Sequence, residues 1–380
     1  MCKTSWFQLF LGVVVMLNSA LISAADDPHP ALVDPLTFVA NWQTTVDDGQ
    51  SEISLDQLKQ SLPQYRVVHV GEIHPNFEDH LVQLAMLQSL HQQHPQLAIG
   101  VEWFQAAFQP WLDGYIYGAI SEADMLQHTE YFQRWRFDYR LLQPIMRYAK
   151  QHQIRVIALN APNELTRQVA SQGRNSLSLI QRQSMPQIHS PGDAQHQRLS
   201  QFFSDKIPPD RDVEDFIYAQ RIWDETMAAN AVRFLNHHPD HKLLVFAGNF
   251  HIGHFEAIPK DMARQLAELQ QITISSGSFE NYRAEFVDQW VYTDSINLPD
   301  HGKIGARFNG KTPCIQDLTD DSAAAKAGLQ KDDCICALNH QSLKHYADLI
   351  LALYTTQPGL VVNLTIQRGE HRFSLDIALE

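Results

Sequence analysis

At 380 residues the chain is long enough for two or three domains with ample core. Its formal net charge is −14, and no basic run is long enough to follow a phosphate backbone, so nucleic acid is excluded as a partner class. The sequence also lacks the His-Glu-x-x-His of zinc proteases and the Gly-x-Ser-x-Gly of serine hydrolases.

The first 25 residues carry Lys3, an apolar stretch from about Trp6 to Ile22, and then Ser23, Ala24 and Ala25. That pattern predicts a secretory signal peptide cleaved after Ala24 or Ala25. A membrane anchor is the alternative; Gln8 and Asn18 interrupt the apolar core, and acidic residues follow it. No Leu-x-x-Cys lipidation site follows either, since Cys2 precedes the core. The expected product is a soluble, exported, periplasmic protein. Beyond the signal, Cys314, Cys334 and Cys336 allow at most one bridge and one free thiol. Cys334 and Cys336 share one face of a strand, which argues against bridging that pair. Three buried small residues are expected, ahead of a Cys-x-Cys metal site.

After a helix over about 54–62, residues 65–74 read YRVVHVGEIH, and residues 242–251 read KLLVFAGNFH. Each is an apolar run followed by Gly-x-x-His, the pattern of a strand buried on both faces that ends in a sharp turn. His74 and His251 then project from strand carboxyl ends, the rim where open α/β sheets bind ligands. Asn76, with Asp79 three residues on, predicts a capped helix start, and that helix buries Leu81, Leu84, Leu87 and Leu90. LAIGVEW is the next buried strand, with Glu102 at its end. An aromatic-rich helical stretch fills 103–149, and IRVIALN forms a third strand ending in Asn160. Residues 171–210 read as a loosely structured or short-helical insertion. A long helix follows over 212–237, with Gln220, Arg221, Asp224 and Glu225 bordering or opposing its apolar side. ITISSG, at 272–277, is a fifth strand. Strands alternating with helices predict an α/β fold with a largely parallel sheet, a helical insertion and a small β-rich C-terminal module.

Glu72, His74, Glu102, Asn160, Asn249, His251 and His254 therefore gather at strand ends. Glu72 and His74, two residues apart, suit a metal or a general base. The candidate catalytic set is Glu72, His74, Glu102 and His251, and the candidate divalent-metal set is Glu72, His74 and His251. His80 either faces the pocket or caps the turn. Whether there is turnover stays open on residue types alone.

The series GEIHPNFEDH, VEW, VIALNAP, QRIWDETMA and FAGNFHIGH resembles the ChaN-like haem-binding proteins of the Tiki superfamily, over roughly residues 60–280. The resemblance maps the two Gly-x-x-His motifs onto Gly71–His74 and Gly248–His251, and the family's helix motif onto Gln220 and Asp224–Ala228. It implies haem held by a tyrosinate between two subunits, in haem or iron uptake. Tyr115, Tyr117 and Tyr139 are the candidate ligands, with His80 and Asp224 as further cofactor-site residues. Packing against the sheet is the other reading of each tyrosine. Arg167, Arg174, Arg182 and Arg198 are candidate partners for propionates. Relatives with esterase or metal-dependent protease activity keep a hydrolase acting through the Glu/His cluster as the alternative. The absent lipidation cysteine departs from the lipoprotein members of the family.

Residues 303–306 (KIGA), 321–339 and 358–369 resemble a bacterial PDZ domain. Ile304, Gly305 and Ala306 match its carboxylate-binding loop, which implies capture of a peptide or protein C-terminus by strand addition. Asp332-Asp333 stands where the pattern has Gly-Asp. The resulting layout is a signal over 1–25, a ChaN-like domain over 26–296 and a PDZ domain over 300–380.

Overall fold

The structure is a computed structural model that describes residues 44–47, 51–208, 211–281 and 285–380. The predicted signal segment lies outside the described residues. In chain order the first elements are β1 (Thr45–Asp47), β2 (Glu52–Ser54), α1 (Leu55–Ser61), β3 (Val67–Glu72), α2 (Phe77–Gln93) and β4 (Leu97–Gln105). Next come the helices α3 (Gln109–Ile116), α4 (Glu122–His128), α5 (Tyr131–Arg134) and α6 (Gln143–Gln151). They are followed by β5 (Arg155–Asn160), α7 (Asn163–Gln172), α8 (Leu179–Ser184), α9 (Asp193–Ser204) and α10 (Val213–His237). The large domain closes with β6 (Lys242–Gly248), α11 (Asn249–Ile252), α12 (Ala257–Gln265), β7 (Gln271–Gly277) and β8 (Gln289–Tyr292).

Eight strands form one sheet in the order β2-β1-β8-β7-β3-β6-β4-β5. The six from β8 to β5 run parallel, and β1 and β2 add an antiparallel edge. Every residue of β3 and β4 is buried, which explains their mostly apolar reading. One face packs on α2, α4 and α6 through Leu84, Leu87, Met125, Leu126, Ile145 and Met146; the other packs on α10 and α12. Each fully buried aliphatic side chain contributes about 1.5–3 kcal/mol.

The two Gly-x-x-His strands are neighbours at the centre of this sheet, offset by one residue: Gly71 pairs with Ala247 and Glu72 with Gly248. Each glycine makes room for a side chain from the other strand's turn. A Cβ on Gly71 would collide with Asn249 Oδ1, and one on Gly248 would stand 2.8 Å from His74 Cε1.

Three local expectations are corrected. Asn76 makes no side-chain cap; Asp79 instead turns back to accept the Ile73 amide at 2.8 Å and the Ser276 hydroxyl. Gln220, Arg221, Asp224 and Glu225, expected to border or oppose the apolar side, are all buried, because α10 is enclosed by α7, α9, α12 and the sheet. Arg221 pairs with Asp224, Glu225 and Asp261, and Arg264 with the last two, so two guanidiniums face these three carboxylates. The three cysteines are half-buried rather than buried: Cys314 is bridged to Cys334, and Cys336 is free. The insertion is short-helical, as expected, through α8 and α9.

The C-terminal module has β9 (Ala306–Phe308), β10 (Ile315–Leu318), α13 (Ala323–Lys326), β11 (Cys334–Leu338), β12 (Gln341–Ser342), α14 (Tyr346–Leu353), β13 (Val361–Arg368) and β14 (His371–Ala378). It has its own core of Ile304, Leu329, Ile335, Leu349, Leu364 and Ile366, among others. Gly328 takes a left-handed φ of 77° before the buried Leu329. Asp332, at the position where glycine was expected, also adopts a left-handed φ, of 70°. The turn survives because the Asp333 carboxylate holds Arg368 at 2.7 Å and the Gln330 amide at 2.8 Å.

Candidate functional site

The strand-end residues converge. His74 follows β3 by two residues and sits half-buried, its Nδ1 donating to Glu72 Oε1 at 2.7 Å. The loop carrying it is pinned from three sides. Asp79 accepts the Ile73 amide, His80 Nε2 donates to the His74 carbonyl at 3.1 Å, and the Gln83 amide faces His80 Nδ1 at 2.9 Å. His80 thus caps the turn and does not line the pocket. Trp135 and Phe137 flank the His74 imidazole with ring centroids at 4.6 and 5.0 Å. Among the described residues His74 Nε2 has no hydrogen-bond partner, which leaves that nitrogen to the pocket. Burial alone would lower the His74 pKa, but the Glu72 hydrogen bond and the charges of Glu72 and Glu102 hold it above the ordinary value.

His251, on α11, is buried between two carboxylates. Its Nδ1 donates to Asp224 Oδ1 at 2.6 Å and its Nε2 to Glu102 Oε1 at 3.3 Å. Burial opposes a charged ring, yet Glu102 and Asp224 raise the His251 pKa to about 10. Burial would raise Glu102 too, but His251 and the 2.7 Å bond from the Gly248 amide bring it down to about 2. Glu102 and Asp224 therefore hold an imidazolium between them, with both ring nitrogens occupied. This corrects the expected metal set. The ligand atoms that lie within 4.8 Å of one another belong to Glu72, His74 and Glu102; His251 also lines the cavity but spends its ring nitrogens on Asp224 and Glu102. Asp224, expected at the cofactor, instead orients His251.

These groups open into a cavity of about 390 Å³, lined among others by Trp103, Gln105, Arg134, Trp135, Asn160 and Trp223. Asn160 donates to the Glu102 carbonyl at 2.8 Å and so fixes the strand end. Phe137 and Arg167 also line the cavity. Glu72 Oε2, Gln105 Nε2 and the indole nitrogens of Trp103 and Trp223 are buried without a hydrogen-bond partner. Buried polar atoms are rarely left so, and a water or ligand in the cavity would supply the missing partners.

The tyrosines are elsewhere. Tyr115 and Tyr139 are buried, and both donate to Glu122 Oε1, at 3.2 and 3.0 Å. Burial and the Glu122 charge push both hydroxyls well above the ordinary tyrosine range, away from a tyrosinate. Tyr117 is 56% exposed at the end of α3, the one of the three whose ring faces solvent. Of the four arginines, Arg167 alone lines the pocket; Arg174 meets Asp215, Arg182 donates to backbone carbonyls and Arg198 pairs with Glu256. Asn249 accepts from Ser275, and His254 packs on Phe286 away from the cavity. Sequence reasoning missed Arg134, Gln105 and Phe137 as pocket residues. Their only signal is membership of the aromatic stretch, which reads equally as core.

In the C-terminal module Ile304 is buried, Gly305 takes a φ of 77°, and Ala306 opens β9. A Cβ on Gly305 would collide with Ser322, so both the conformation and the space require glycine.

Residues 58–262 match the family model for haem-binding uptake proteins, Tiki superfamily, ChaN. The chain belongs to the ChaN family. The ChaN of Campylobacter jejuni, described with cofacial haem binding, superposes with a TM-score of 0.53 at 16% identity, covering 66% of this chain and 97% of that one. That likeness establishes a ChaN fold for the large domain. A point mutant of the erythromycin esterase EreC, in its open conformation, superposes at 0.39 with 16% identity over 62% of this chain and 77% of that one. Residues 302–379 match the PDZ domain model. The HtrA-type protease AlgW with a decapeptide aligns with 21% of this chain at 18% identity and a TM-score of 0.20, covering 29% of its own chain. Among curated proteins none matches this sequence.

Proposed function

We propose that this ChaN-family chain is an exported haem-binding protein serving haem or iron acquisition, with haem taken up at the strand-end pocket. The observation that carries the reading is His74: a half-buried imidazole whose Nδ1 is held by Glu72, leaving Nε2 free among flat aromatic walls. A carboxylate-supported histidine is a strong axial donor to iron. Arg134 and Arg167 at the same cavity supply cations for propionates, and Trp103 and Trp223 supply unpaired indole donors. The residues present therefore fit haem, which when bound would contribute its iron as the ligand-accepting centre. The family resemblance adds a tyrosinate and a second subunit; Tyr117 is the exposed candidate, and Ile73 and Phe250 beside the two histidines are exposed apolar surface for such a contact. Haemin titration tests the reading. His74→Ala should abolish the Soret shift and Tyr117→Phe should alter only its position, with light scattering reporting any haemin-induced dimer. An unchanged titration in His74→Ala overturns pocket binding. In the C-terminal module, the loop at Ile304, Gly305 and Ala306 takes a peptide carboxylate.

A second reading rests on the proximity of Glu72, His74 and Glu102. Two carboxylates and one imidazole are the donor set of a catalytic divalent-metal site with an open position for water. Under this reading the chain hydrolyses an ester or peptide, and His251 holds Glu102 ionised. Calorimetric Zn²⁺ binding lost in Glu102→Gln, together with metal-dependent cleavage of a nitrophenyl ester, would favour it over haem uptake.

A further inference from the structure

The PDZ module is seated on the same short segment that walls the strand-end pocket. Residues 131–140 carry α5 and the turn after it. On one side, Arg134, Trp135 and Phe137 line the cavity, and the last two press on His74. On the other, Phe132 meets the Tyr346 ring edge-on at 5.3 Å, and the Gln133 side chain lies against Gly310. Arg140 stacks over Tyr354 at 5.0 Å, and the Tyr354 hydroxyl accepts the Tyr139 amide at 3.3 Å. Ala347 and Leu351 of α14, with Tyr354 just beyond it, complete the apolar core of the large domain. Asp124 pairs with His345 just before α14.

That helix is also one wall of the PDZ groove, and β9 is the other. The carboxylate loop lies at the far end of α14, where the Gly302 amide meets the Thr356 carbonyl at 3.4 Å. At the near end the two walls touch. The Phe308 ring packs on Tyr346 at 5.5 Å, and the Tyr346 amide donates to the Lys311 carbonyl at 3.4 Å. A peptide adding as a strand beside β9 runs past the Phe308–Tyr346 contact and competes with that packing. Tyr346, which also packs on Phe132, is where such a displacement reaches α5.

The segment has the marks of an element with a second arrangement. Glu130 and Arg136, neither of them glycine, bracket it with left-handed φ values of 52° and 72°. Both polar atoms of the Gln133 amide are buried without a partner, an arrangement a shift of α5 would relieve. We propose that peptide capture in the PDZ groove and ligand binding in the strand-end pocket are linked through residues 131–140, with the Phe132–Tyr346 contact as the coupling. By reciprocity, pocket occupancy changes peptide affinity by the same factor. The linkage rests on the proposed function only in taking haem as the pocket ligand.

The test uses the full chain. A library of peptides with free C-termini is selected against it, and the tightest binder is made with a free and with an amidated terminus. The free-acid peptide should change hydrogen exchange across 131–137 and shift the haemin Kd by about 5-fold or more. The amide should do neither. Phe132→Leu, which keeps the core filled, should bind both ligands singly while the shift falls below about 2-fold, a small fraction of ordinary coupling. Failure to select any binder overturns the proposal, as does a bound peptide that leaves exchange at 131–137 unaltered. Altered exchange with an unchanged haemin Kd also overturns it. In a chain that takes up no haemin the haem reading falls, and the Kd of Zn²⁺ at Glu72, His74 and Glu102 is read instead; a value that the peptide does not shift overturns the linkage.

Discussion

His251 Nδ1 lies 2.6 Å from Asp224 Oδ1, bridging α11 to the middle of α10 while its other nitrogen reaches Glu102. The imidazolium stands between two buried carboxylates and offsets one of their two charges, with Arg221 as a further partner of Asp224. His251→Ala leaves both of them without it, and breaking a buried pair in this way costs about 3–5 kcal/mol. Urea unfolding at neutral pH should show a loss of that size. A midpoint within experimental error of the parent would mean that the three groups are not ionised together.

His69 makes acid sensitivity specific. It is buried in the middle of β3 on Gln271, and burial lowers its pKa from 6.5 to about 4 despite that hydrogen bond and the charge of Asp288. At neutral pH neither the folded nor the unfolded chain protonates this ring. Below pH 6.5 the unfolded chain takes up a proton that the folded chain refuses until about pH 4, so stability falls with falling pH across that window. The accumulated loss is roughly 3 kcal/mol. His69→Gln should flatten the stability profile between pH 6.5 and about 4, read from urea midpoints at stepped pH; an unchanged slope would exclude His69 as its source.

Gly248→Ala separates pocket function from folding. Its φ of −56° suits any residue, but the new Cβ would sit 2.8 Å from His74 Cε1 and 3.5 Å from Glu102 Oε2. The half-buried His74 ring is the neighbour with room to move, so the displacement falls on it. Haemin affinity should drop by about tenfold, equivalent to about 1.4 kcal/mol, with far-UV circular dichroism unchanged. Full affinity in this variant would place the bound group away from His74.

The Cys314–Cys334 bridge closes a loop with a sequence separation of 20. By the chain-entropy relation such a bridge stabilises by about 3 kcal/mol. Reducing it with dithiothreitol should destabilise the PDZ module by that order, while the haemin titration of the large domain stays in place. Thermal unfolding with and without reductant checks the first half of the statement, and a titration in reductant the second.

Much of the frame was legible because burial leaves a local trace. The mostly apolar run at 67–70, broken only by His69, and the apolar run at 243–247 mark strands covered on both faces, and Gly71 and Gly248 mark where side chains cross between them. The PDZ pattern was readable for the same reason, since Gly305, Gly328 and Leu329 answer to local turn geometry. The convergence of Glu72, His74, Glu102 and His251 followed from placing two such strands side by side.

What the tertiary structure alone decided is which partner each polar group finds. Helical periodicity names an apolar side but does not say how many neighbours enclose a helix, so Asp224 and Glu225 read as bordering or opposing that side when both are buried. Tyr115 and Tyr139 read in sequence either as haem ligands or as packing residues, and they are buried on Glu122, seven and seventeen residues away. His251 looks like a metal ligand until Asp224 and Glu102 claim both its nitrogens. Strand and turn preferences are set by a residue and its near neighbours in the chain; hydrogen bonds and ion pairs between distant segments depend on packing that no local window contains.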